Sequence, residues 1–151
     1  MKMHPHLSPD AIILDLAAGD KAGAIAEVSE RLRHHPAMGD FEQFVGAVLS
    51  REAESSTGIG NGIAIPHART DRVRDFVVAV GRSAEGVPFE AIDDRPVNLV
   101  IMMGIPTAQV KSYLQLLGHL SLLLKQRAFV DALLSAPDPA AVIKVFEDHE
   151  E

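Results

Sequence analysis

The 151-residue chain has no cysteine, no tryptophan, one tyrosine and fewer basic than acidic residues. Without cysteine it can form no disulfide, no thiolate metal site and no cysteine nucleophile, which agrees with a cytoplasmic location. No apolar run reaches the roughly 18–20 residues that a membrane span requires, so no membrane insertion is expected. The opening "MKMHPHLSPD" also lacks the apolar core of an export signal. Fourteen Lys and Arg face 21 Asp and Glu, a formal charge of −7. That balance argues against nucleic acid as a partner, since phosphate contacts depend on Lys and Arg. Part of the acidic excess lies in "EDHEE", and residues 1–7 and 147–151 are expected to be solvated, frayed ends.

What the chain does contain is enough apolar material for a core. Nearly half of its residues are hydrophobic, 47%, and no Pro-, Ser- or Gly-rich linker divides it, so residues 1–151 are expected to form a single domain. "AIILDL" (11–16) reads as a strand. Asp20 is an N-cap for a helix carrying Ile25, Val28 and Leu32, which stops before Pro36. Asp40 caps a second helix, whose Phe41, Phe44, Val45, Val48 and Leu49 recur at helical spacing, and Arg51 falls in its last turn. "FVVAVGRS" (76–83) and "VNLVIMMGI" (97–105) read as strands. The second is apolar almost throughout, as for a strand covered on both faces. "EGVPFEAIDDRP" between them predicts a turn and one more short strand. A long helix is expected over about 107–126, with Val110, Leu114, Leu117 and Leu124 on one side and further leucines beside them. Helices at about 126–135 and from Asp138-Pro139 follow. Interleaved strands and helices predict an α/β domain, a mixed central β-sheet flanked by helices on both faces.

The chemistry points to "STGIGNGIAIPHA", Ser56–Ala68. It lacks the Gly-Lys of a phosphate-binding P-loop and the third glycine of a dinucleotide fingerprint, where Ile63 stands instead. His67 has no acidic residue or histidine at common ligand spacings, so a metal site is not indicated. Two readings of His67 remain open on these residues. It is an ordinary residue at a strand end, or a neutral imidazole nucleophile surrounded by glycine amides, the hydroxyls of Ser56 and Thr57, and the guanidinium of Arg51. Pro66 restricts Ile65 to an extended conformation and so fixes how His67 follows it. Arg51 by itself equally suits a charge compensating a helix C-terminus.

The longer stretch "SREAESSTGIGNGIAIPHA", together with "FEAIDDRPVNLVIMMGIP", closely resembles the mannitol/fructose-type enzyme IIA domains of the bacterial phosphotransferase system. It most resembles the nitrogen-regulatory members. The resemblance implies the fold of those domains, with His67 as acceptor of a phosphoryl group from the phosphohistidine of the histidine phosphocarrier protein. It implies Arg51 as the phosphate-stabilising residue, with Ser56, Thr57, Gly60 and Asn61 in support. It implies no metal or cofactor, and as downstream partner a IIB domain or a regulatory target protein. Sugar uptake through a IIB domain, and a IIA-like binding module that is never phosphorylated, are the alternative functions. One position departs from the family pattern: many relatives carry a second active-site histidine where this chain has Tyr113, whose hydroxyl could reach phosphate or His67. His119, six residues on, lies about 240° around the helix and is expected to be structural.

Overall fold

The computed structural model describes residues 2–150. Its framework is a six-stranded mixed sheet. The strands are β1 (Ile12–Ile13), β2 (Gly58–Gly60), β3 (Ile63–Ala64), β4 (His67–Arg69), β5 (Val77–Val87) and β6 (Val97–Ile105). The helices are α1 (Lys21–Glu30), α2 (Phe41–Glu54), α3 (Val110–Leu124), α4 (Arg127–Ser135) and α5 (Pro139–His149). The antiparallel pair β5–β6 forms the spine. β1 runs parallel to β5, β3 and β4 run parallel to β6, and β2 closes a hairpin on β3.

Alternation along the two central strands divides the core into two layers, because successive side chains point to opposite faces. Val78, Val80, Ile101 and Met103 pack with Leu116, Leu120, Phe129 and Phe146, under α3, α4 and α5. Val77, Ala79, Val100 and Met102 pack with Ile25, Val28, Phe44 and Val48, under α1 and α2. The sheet is therefore covered by helices on both faces, as the interleaved pattern predicts. Asp20, Asp40 and Asp138 each accept a backbone N–H from three residues on, closing the N-termini of α1, α2 and α5.

The structure differs from the sequence pattern in three places, and it decides which side of α3 faces inward. The segment after 83 forms no separate strand; β5 runs on to Val87 past an irregularity in its pairing with β6. The first strand shortens to Ile12–Ile13. On α3 the buried residues are Leu116, Leu120, Leu123 and Leu124, whereas Val110 and Leu114 are exposed. That helix is apolar on most of its circumference, so periodicity alone does not single out the inner face. The described residues near both ends are held in turns and helices and are not frayed. Residues His4–His6 form a 3₁₀ turn, and α5 continues to His149. The Glu150 carboxylate accepts the backbone N–H groups of Met3 and His4 and meets the rings of His4 and His119. A buried carboxylate needs this many donors, and here they tie the two ends of the chain together. Met1 and Glu151, assigned to the same ends, lie outside the described residues.

Candidate functional site

The glycine-rich stretch folds as a hairpin. Gly60 pairs with Ile63, and the intervening Asn61 and Gly62 have φ of 58° and 79°. Positive φ at both central residues is the turn that matches the twist of a two-residue hairpin, and Asn-Gly is its favoured sequence. β3 then docks along β6, and Pro66 interrupts the chain before β4. Ile65 is held by donating its N–H to the Thr57 carbonyl. His67 follows as the first residue of β4, opposite Met103, and is only 5% exposed.

The hydrogen bonds of His67 determine its tautomer. Nδ1 lies 2.7 Å from the Ile65 carbonyl oxygen. A carbonyl only accepts, so Nδ1 carries the proton and the neutral ring presents its lone pair at Nε2. Nε2 in turn lies 3.2 Å from the Tyr113 hydroxyl on α3, which donates to it. Burial lowers the proton affinity of the ring. The Ile65 carbonyl opposes that effect, the Arg51 charge adds to it and Glu52 opposes it, and the net pKa falls below the ordinary histidine value. The result is a neutral imidazole at pH 7 with one lone pair directed into a cleft.

That cleft, about 470 Å³, is lined by Ser50, Arg51 and Glu54 of α2, His67 and Arg69 of β4, and Tyr113. Arg51 reaches it from the last turn of α2, where it also donates to the Ser55 carbonyl 2.9 Å away. The two sequence readings of Arg51 are thus compatible: one guanidinium satisfies a helix-end carbonyl and places positive charge beside His67. Arg69 lies over the Tyr113 ring, 5.5 Å from its centroid. Two cations beside a neutral imidazole suit a group that carries negative charge spread over several oxygens.

Ser56, Thr57, Gly60 and Asn61, expected to support phosphate, have other partners in the structure. The Ser56 hydroxyl donates to the Phe89 carbonyl and accepts the N–H of Gly58. Thr57 gives both its N–H and its hydroxyl to the Glu52 carboxylate. Gly60 and Asn61 line a separate groove with Arg95, Asn98 and Lys125, and the Asn61 N–H is taken by Asp93. None of the four lines the cleft at His67. The glycines build a tight hairpin, and a side chain on Gly62 would collide with Asn98. Among the described residues no group of three His, Asp or Glu side chains is placed to hold a metal ion.

Residues 5–149 match the family described as "Phosphoenolpyruvate-dependent sugar phosphotransferase system, EIIA 2". The chain belongs to this family. Among its relatives, the fructose-specific EIIA component of Haloferax volcanii is 37% identical over 139 residues, covering 92% of this chain and 90% of that one. The fructose-specific EIIABC component of Bacillus subtilis is 35% identical over 150 residues, 99% of this chain but only 24% of that protein. Among solved structures, the nitrogen regulatory protein IIA-Ntr of Neisseria meningitidis superposes with a TM-score of 0.89 at 26% identity, covering 95% of this chain and 98% of that one. The mannitol IIA of Escherichia coli, in a complex with its phosphorylated IIB partner, superposes with a TM-score of 0.80 at 26% identity, covering 94% and 97%. These likenesses agree with the resemblance read from the motif and with the expected fold. As an EIIA 2 member the chain is a component of a phosphoryl-transfer system. No helix of the described residues is long and apolar enough to cross a membrane.

The sequence reading missed Glu52. It is 6% exposed, pairs with Lys21 at 2.8 Å and binds both donors of Thr57. Burial would raise its pKa, but the bonds from Lys21 and Thr57 outweigh that and hold it below the usual glutamate value. In this EIIA 2 chain it anchors the end of α2 to the start of β2, and through Thr57 to Ile65. Its signal was available: Glu52 lies at the position after Arg51, within a helix otherwise read only for its apolar stripe. Arg69, two residues beyond His67 on the same strand face, also lines the cleft and is not among the expected site residues.

Proposed function

We propose that this protein is a cytoplasmic phosphotransferase-system IIA component whose His67 accepts a phosphoryl group at Nε2 from the phosphohistidine of the histidine phosphocarrier protein. In that step the Nε2 lone pair attacks phosphorus. The donor's N–P bond breaks, and its electron pair returns to the donor imidazole. Arg51 offsets the charge on the transferring oxygens, and Nδ1–H···O=C of Ile65 stabilises the imidazole as it gains positive character. The observation that carries this reading is the fixed tautomer, which leaves Nε2 as the one lone pair of a neutral, buried ring beside a cation.

A regulatory role in the nitrogen-related branch is supported by the superposition on the Neisseria nitrogen regulatory protein. The second reading, sugar uptake with transfer to a IIB domain, is supported by the identity to fructose-specific relatives and by the mannitol IIA–IIB complex. Incubation with phosphoenolpyruvate, enzyme I and the phosphocarrier protein, followed by intact mass, is expected to give an acid-labile phosphoryl adduct that His67→Ala lacks. No adduct on the unmodified protein, with a known IIA labelled in parallel, would refute the acceptor role. Arg51→Ala is expected to slow labelling strongly with the fold intact. Efficient onward transfer to a fructose-type IIB domain would favour uptake over regulation.

A further inference from the structure

Tyr113 occupies the one coordination position of His67 that the acceptor role requires. Its hydroxyl is 3.2 Å from Nε2, while the two rings stand 5.9 Å apart and tilted at 42°, so the contact is made by the hydroxyl and not by stacking. The backbone of Tyr113 is fixed in the first turn of α3, donating to the Gln109 carbonyl at 2.9 Å. One side of its ring rests on the core below α3, and the Arg69 guanidinium lies over the ring. The ring is thus clamped, while the hydroxyl proton is free to turn about the C–O bond.

We propose that Tyr113 is a positioning residue for phosphoryl transfer: its hydroxyl donates to His67 Nε2 in the unmodified protein and to a phosphoryl oxygen once Nε2 carries phosphorus, with Arg69 holding the ring between the two states. This rests on His67 being the acceptor. Nothing beyond the transfer itself is consumed. The new N–P bond takes the Nε2 lone pair, the donor nitrogen recovers the pair of the broken bond, and the phenolic proton stays on its oxygen and changes acceptor only. The two hydrogen bonds differ in strength. Before transfer, a neutral hydroxyl meets a neutral ring nitrogen; after it, the hydroxyl meets an anionic oxygen, and a charge-assisted bond is roughly twice as strong. An interaction stronger in the product than in the starting state favours the product. Tyr113 therefore shifts the phosphoryl group towards this protein and away from its donor. Arg51 and Glu54 of α2 and Arg69 of β4 are the other charged groups lining the cleft, with Glu52 acting on His67 from behind.

Tyr113→Phe deletes the hydroxyl and keeps the ring. Titration of the His67 ring by proton–nitrogen NMR should give a higher apparent pKa in the variant, because the lost donor favours the neutral form. Arg51, Glu52, Glu54 and Arg69 are unchanged in that comparison. At limiting phosphocarrier protein, the equilibrium constant for labelling should fall roughly three- to tenfold, the size of the difference between a charge-assisted and a neutral hydrogen bond. A native amide spectrum with both His67 titration and labelling equal to the parent would overturn the proposal, since a ring that merely packs would move neither. With no tryptophan and no other tyrosine, emission excited beyond the phenylalanine absorption band belongs to Tyr113 alone. It should change on full labelling, and unchanged emission would equally overturn the handover. If the unmodified protein takes no label, the acceptor role fails, while the titration still reads the Tyr113–His67 bond independently.

Discussion

His67 and His119 are two partly hidden imidazoles on one chain, and their surroundings make them different chemical groups. His67 meets a carbonyl at Nδ1 and a hydroxyl at Nε2, with a guanidinium near, so it is held neutral with its lone pair facing a cleft. His119 meets the Glu150 carboxylate through Nε2, and that carboxylate also binds Met3 and His4. A carboxylate partner makes an imidazole a donor in a structural clamp, whereas a carbonyl partner with a cation nearby leaves it neutral with its lone pair at Nε2. The residue type is the same; the group opposite the ring decides the role.

The largest expected contrast is in labelling. His67→Ala should fall to background, while His119→Ala should label within about twofold of the parent, because it touches nothing in the cleft. Strong loss of labelling in a well-folded His119→Ala would break the comparison.

Next comes stability. Glu150→Ala leaves two backbone N–H groups without their acceptor and should cost about 3 kcal/mol, seen as a lower urea midpoint. An unchanged midpoint would return the chain ends to the solvated state that their acidic composition suggests. Thr57→Val removes one donor from the buried Glu52 and should cost about 1–2 kcal/mol while leaving the labelled fraction unchanged. A labelling defect without loss of stability would place Thr57 in the phosphate site after all.

The smallest effect is on pH dependence. The folded pKa of His67 is lowered, so the unfolded chain binds the proton more readily. Its contribution to stability is therefore complete above the unfolded value of roughly 6.5 and is lost as pH falls through that value towards the folded pKa. Labelling should likewise persist below pH 6.5, where a free imidazole is mostly protonated. Comparing unfolding of the parent and His67→Ala from pH 8 to 5 checks the sign; a parent advantage that grows on acidification would contradict it.

Much of the scaffold was legible because local rules and burial agree. Three aspartate N-caps, the apolar stripe of α1 and the two-sided burial of β6 all follow from the sequence pattern. α3 was not, because Val110 and Leu114 are as apolar as the buried Leu116 and Leu120 and only tertiary packing selects between them. At the site, the motif points to His67 and Arg51, and the structure brings both to one cleft. Ser56, Thr57, Gly60 and Asn61 fall outside the lining of that cleft, and glycine and hydroxyl residues serve a hairpin as readily as an anion. Asn61-Gly62 carried the hairpin signal, and it was read only as part of a glycine repeat. The Glu150 clamp joins residues 147 positions apart, a pairing no local pattern encodes.

The central claim concerns one nitrogen. Nitrogen NMR of the His67 ring, before and after enzymatic labelling, tests it most directly. The expected result is a neutral ring protonated at Nδ1 in the free protein at pH 7, with phosphorus on Nε2 afterwards. A ring protonated at Nε2 in the free protein, or phosphorus on Nδ1, would contradict it.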